Sequence, residues 1–65
     1  MHKTGAEDPL LTTEQAAELL DVEPETLEIW RFHRRYALAY VKIGRNVRYR
    51  RSAIEAFIAS RTVAA

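Results

Sequence analysis

The sequence predicts one small domain, mainly α-helical, with three helices and a two-stranded β-hairpin between the second and third. Three observations predict it. Two segments with helical apolar spacing flank the short joint Leu20-Asp21-Val22. Residues 40–50 alternate apolar and basic side chains with period two, as half-buried strands do. A further helical apolar stripe follows from Ser52 onward.

Residues 1–9 read as a flexible lead, with Gly5, mixed charges, Pro9 and no periodic apolar positions. The first helix begins at Thr12. Its hydroxyl accepts from the Gln15 N–H while the Gln15 side chain reaches back, a capping box. Glu14 suits the positive helix N-terminus. Ala16, Ala17 and Leu20 form a narrow apolar face, and Asp21 makes the turn because Asp tolerates the left-handed region better than most residues.

The second helix spans 24–35. Pro24 suits its first position, where the missing N–H has no partner anyway, while Glu23 is a weak cap. Leu27, Trp30 and the stem of Arg34 face inward at i, i+3 and i+7. In the hairpin, Val41 and Ile43 share a face with Val47 and Tyr49 across a Gly44-Arg45-Asn46 turn. Lys42, Arg48 and Arg50 take the other face. The last helix starts at Ser52, with Glu55 completing a second capping box. Ile54, Phe57 and Ile58 make its core stripe. Residues 62–65 fray, so the domain covers 10–61.

Two helices at a short joint, then a hairpin, then a third helix, make a winged helix-turn-helix. Leu20, Val22, Leu27 and Trp30 form its hydrophobic joint. In such a motif the second helix lies in the major groove and a basic hairpin reaches phosphates or the minor groove.

Charge points the same way. The formal net charge is only +1, yet residues 1–28 carry −7 and residues 29–65 carry +8. Eight of the ten basic residues lie between Arg31 and Arg51, where there is no Asp or Glu. A field of that size speaks of a polyanionic partner, and nucleic acid is the commonest.

Other classes are excluded by what the chain lacks. It has no Cys, so no disulfide and no thiolate ligand or nucleophile. His2 and His33 have no partners at metal-ligand spacing, so neither a zinc site nor a cofactor is expected. The acidic residues pair with no nucleophile, so the protein is not expected to be an enzyme. No stretch approaches the ~20 apolar residues of a membrane span, and the first residues do not form a signal peptide. The expectation is a soluble cytoplasmic protein with neither membrane nor small-molecule partner.

The runs LTTEQAAELL (11–20), VEPETLEIW (22–30) and YVKIGRNVRYRRS (40–52) resemble the small excisionase-like, MerR-like helix-turn-helix proteins. The resemblance covers about residues 10–61. It implies double-stranded DNA binding, by a recombination directionality factor or a small transcription regulator. It also implies that Thr26 and its neighbours approach the major groove and that Arg45 and Arg48 belong to the wing. Asp21 stands where the family usually has Gly, Glu23 where it has Ser, and Ala39 where Pro often precedes the wing. The expected wing contacts are Lys42, Arg45, Asn46, Arg48 and Arg50. The expected helix contacts are Glu25, Thr26, Ile29, Arg31, Arg34 and Arg35. Glu25, Glu28 and Ile29 either alter base preference or weaken binding, since Glu accepts from cytosine N4 and Ile touches the thymine methyl.

The competing function is a protein-interaction module built on an apolar stripe of Ile29, Phe32 and Tyr36, with little DNA binding. Both functions allow a recombinase or neighbouring copies on DNA as partners, joined head to tail by the unequal charges.

Overall fold

In the computed structural model, residues 8–64 are described, so residues 1–7 of the expected lead, and Ala65, lie outside the described residues. The elements are β1 (Leu10–Leu11), α1 (Thr13–Leu20), α2 (Pro24–His33), β2 (Val41–Ile43), β3 (Asn46–Arg50) and α3 (Arg51–Arg61). Three helices and a small antiparallel sheet make a mainly helical winged helix-turn-helix.

Thr12 caps α1 with the full reciprocal pair: the Gln15 N–H donates to the Thr12 hydroxyl at 3.1 Å and the Thr12 N–H donates to Gln15 Oε1 at 2.9 Å. Asp21 then turns the chain at φ 59°, and the Val22 N–H donates back to the Ala17 carbonyl at 3.0 Å. That i to i−5 bond defines a Schellman turn, and it fixes the angle at which α2 leaves α1.

Pro24 occupies the first turn of α2, and Glu23 makes no side-chain cap bond. The helix ends at His33, two residues before its expected end. Arg34 adopts φ 51° and the Arg35 N–H donates to the Trp30 carbonyl at 2.9 Å, a second Schellman turn. The Arg34 stem therefore does not continue the inward face; the side chain is exposed. The early stop lets the chain double back, so that Tyr36 meets Trp30 edge-on at 4.9 Å and Leu38 packs against the core.

The hairpin departs from the expected register. Val41 pairs with Arg48, Lys42 with Val47, and Ile43 with Asn46, which leaves Gly44 and Arg45 as a two-residue turn. Gly44 has φ 60° and Arg45 does not have positive φ, the pattern of a type II′ turn. Asn46 belongs to β3, not to the turn. A turn shorter by one residue moves one strand's side chains to the opposite face. Val47 and Tyr49 thus share their face with Lys42, while Val41 and Ile43 share the outer face with Asn46, Arg48 and Arg50. Burial agrees: Tyr49 is 1% exposed and Ile43 52%.

Two features of the sheet have no counterpart in the sequence reading. Leu10 and Leu11 form a third strand, paired antiparallel to Arg50 and Tyr49, giving the order β1-β3-β2. The start of α3 is capped from far away. Ser52 lies inside the first turn, its N–H and hydroxyl both donating to the Asp8 carboxylate, while the Arg51 N–H donates to the Pro9 carbonyl. The expected Ser52–Glu55 capping box is not formed, because the N-cap is Arg50, two residues before Ser52, and Glu55 pairs with Arg51 Nε at 3.1 Å. These bonds tie Asp8 and Pro9, read from sequence as part of the lead, to the domain. They also hold the Asp8 carboxyl below the ordinary aspartate range, the Ser52 hydroxyl first, then the Ser52 N–H and the nearby Arg50 charge.

The core is Ala16, Ala17, Leu27, Tyr49 and Ile54, with Leu11, Leu20, Val22, Trp30, Leu38 and Val47 packed around it. The two alanines let α1 approach its neighbours closely. Phe57 adds its ring to Trp30 and Tyr36, whereas Ile58 stays 42% exposed. Among the described residues, no helix is long and apolar enough to cross a membrane.

Candidate nucleic-acid interface

Helix α2 carries two chemically distinct faces. At about 100° per residue, Leu27, Trp30 and Arg31 fall on the inner side, and Glu25, Glu28, Ile29 and Phe32 on the outer side. Exposure follows: Leu27 is 1% exposed, Ile29 56% and Phe32 82%. The outer face is acidic and apolar, with no cation on it. Thr26 sits half-buried at its border.

The six helix residues expected at DNA therefore divide. Glu25 and Ile29 lie on the outer face, with Thr26 beside them. Arg31 turns inward, where its Nη1 donates to the Tyr49 hydroxyl at 3.1 Å and its guanidinium lies 5.9 Å from the Tyr40 ring centroid. Arg34 and Arg35 follow the helix rather than ride on it. The Arg35 guanidinium stacks over Tyr36 at 5.5 Å, and Arg61 from α3 approaches the same ring at 5.0 Å. Such contacts are attractive because the ring face is electron-rich. They order these cations along the turn after α2.

The five wing residues also divide by register. Asn46, Arg48 and Arg50 share the outer face of the hairpin; Lys42 lies on the opposite face; Arg45 occupies the tip. Lys42, Arg45 and Arg50 are exposed, while Arg48 is half-buried and folds its Nη1 onto the Val47 carbonyl at 2.8 Å. No acidic residue lies between Arg31 and Arg51 in the sequence, so the wing tip and the turn after α2 are basic, while the Asp8 carboxylate lies near enough to Arg50 to offset part of its charge. Arg51, by contrast, is partly neutralised by Glu55.

Sequence reasoning missed Arg61 and the internal role of Arg31. Arg61 gave no signal, because it joins the cluster only when α3 packs beside Tyr36. Arg31 was legible in principle, since i+4 from Leu27 is an inward position.

Together these parts form a helix presented by a tight turn, flanked by a basic hairpin. That is the arrangement by which helix-turn-helix modules bind double-stranded DNA. A search of curated proteins and of solved structures finds no match to the chain. A family model described as a helix-turn-helix domain matches residues 10–62, nearly the whole of the described fold. The chain belongs to the helix-turn-helix domain family.

Proposed function

We propose that this protein is a sequence-specific double-stranded DNA-binding protein of the excisionase-like kind, a recombination directionality factor or small transcription regulator acting without catalysis. The observation that carries this is the pairing of a basic wing with an exposed α2 face that has no cation on it. The wing and the turn after α2 supply phosphate contacts through Lys42, Arg45, Arg50, Arg34 and Arg35. The α2 face supplies base reading through Glu25, Ile29 and Phe32, with Glu suited to cytosine N4 and the apolar groups to thymine methyls. Arg45, at the tip of the wing, is placed to meet backbone phosphates beside the site that α2 reads. The work is thereby divided: cations fix position and α2 chooses sequence.

Two substitutions test that division by fluorescence anisotropy on a selected site and on random duplex. Arg45→Ala weakens binding to both equally and lowers the salt slope by about one contact. Glu25→Gln leaves the random duplex unchanged and shifts the preferred base, by about 1–3 kcal/mol of discrimination. Unchanged binding in both variants contradicts the assignment.

A second reading rests on Phe32, the most exposed aromatic ring at 82%. The expected interaction stripe is shortened, because Tyr36 turns toward Trp30 and Phe57, leaving Ile29 and Phe32 outside. Flanked by Glu25 and Glu28, that patch suits a basic partner surface. A neighbouring copy's wing or a recombinase is the partner of this reading, supported by the −7 and +8 charges of the two segments.

A further inference from the structure

A cleft of about 640 Å³ opens between the C-terminal half of α2, the 34–40 connection and the hairpin. Its volume falls within the ~300–1,000 Å³ of small-molecule sites. Trp30, Tyr40 and Tyr49 supply aromatic walls, Leu27 and Leu38 apolar ones, and no Asp or Glu lines it. Arg31, Arg34 and Arg35 line it as well. It exists because α2 stops at His33 and the chain arches away before returning at Val41.

The chemistry of the lining is specific. The half-buried Arg31 guanidinium is held in place by the Tyr49 hydroxyl and the Tyr40 ring. Guanidinium offers five N–H donors, and the phenol occupies one. Among the described residues no carboxylate is paired with Arg31, Arg34 or Arg35. A pre-oriented guanidinium fork fits a carboxylate with two parallel hydrogen bonds. The aromatic and aliphatic walls beside it suit a flat ring and reject a solvated chain.

We propose that this cleft is a binding site for a planar aromatic carboxylate. The carboxylate meets the Arg31 and Arg34 guanidiniums, and the ring lies on the Trp30 and Tyr40 walls. Ligand binding here does not depend on the DNA-binding reading, because the site is complete in the free protein.

The test uses the full chain without DNA, at low salt, followed by amide and indole N–H shifts in two-dimensional NMR. Trp30 is the only tryptophan, so its indole signal reports on the cleft directly. The probes are 2-naphthoate, the uncharged 2-naphthamide and the ringless acetate. The expected result is saturable shifts from 2-naphthoate at Trp30, Arg31, Leu38 and Tyr40. Affinity for naphthamide is lower by about tenfold or more, the factor that one charge-assisted hydrogen bond supplies, and acetate is weaker by a similar factor or more because it leaves the aromatic walls uncovered. Arg31→Gln removes the preference of naphthoate over naphthamide. Should that variant lose its fold along with the Tyr49 bond, Arg34→Gln, whose side chain is exposed, reduces the same preference. No saturable shift with naphthoate up to about 10 mM overturns the proposal, since that ceiling is only ~3 kcal/mol of binding. Equal response to naphthamide overturns it too, as does a response centred on Arg45 and Arg48. A response to a short single-stranded oligonucleotide but not to naphthoate assigns the cleft to nucleic acid instead.

Discussion

Tyr49 does more than fill space. It is 1% exposed at the centre of the core, and its hydroxyl takes the hydrogen bond from Arg31 that holds this cation against the domain. Tyr49→Phe leaves Arg31 without its acceptor while keeping the ring. The expected outcome is a loss of about 1.5–3 kcal/mol in urea unfolding, the range for a hydrogen bond to a charged group. Tyr49 was legible as a core residue from the two-residue alternation of its strand. Its bond to Arg31 was not, because the two residues are 18 apart and only the shared core of Leu27 and Tyr49 brings them together. Asp8 makes the same point over 44 residues. Since its carboxyl titrates below the ordinary range in the folded protein, its contribution is fully present above about pH 4 and lost as pH falls further. Asp8→Asn therefore unfolds at lower temperature than the parent at pH 7, and the gap narrows on acidification. A constant gap from pH 7 to pH 2.5 contradicts the Asp8 bonds.

The helices were more legible than the hairpin. Thr12, Gln15 and Pro24 are local signals, acting within one turn of chain, and local chemistry decides where α1 and α2 begin. The ends of α1 and α2 depended on left-handed residues, and Arg34 carries no propensity that marks it for that role. At αL an ordinary residue is strained by roughly 1–2 kcal/mol, so tertiary contacts from Tyr36 and Leu38 must outweigh it. The hairpin shows how a one-residue turn difference reverses a surface. Alternation identified the strands but not their register, because Gly44-Arg45 and Gly44-Arg45-Asn46 both suit a turn. Register is tested by paired substitution. Val47→Thr places a hydroxyl on the core-facing side and lowers stability by about 1 kcal/mol, whereas Ile43→Thr on the exposed face changes it by less than about 0.5 kcal/mol. Equal losses, by thermal unfolding, restore the three-residue turn.

At the scale of the molecule, function is a matter of charge placement on a thin core. A 65-residue chain buries little, so its core is thin and some cations are drawn into it. Arg31 is an example, counted at first with the DNA contacts and found bonded inside. The asymmetry between the two segments was visible in the sequence and survives in the fold as a basic wing beside an acidic, apolar α2 face. What composition could not show was which cations are available. Lys42, Arg45, Arg50, Arg34 and Arg35 are exposed, while Arg31 and Arg48 are half-buried and hydrogen-bonded. Nor could it show the cleft, which arises from the path of the 34–40 connection. The decisive measurement is fluorescence anisotropy of a random-sequence duplex titrated with the protein across a range of salt. Three to five phosphate contacts from the exposed cations give a log–log slope of about −2.7 to −4.5, with tight binding at low salt. A slope shallower than about −1, or no binding at low salt, contradicts DNA as the partner and transfers the function to the Ile29 and Phe32 surface.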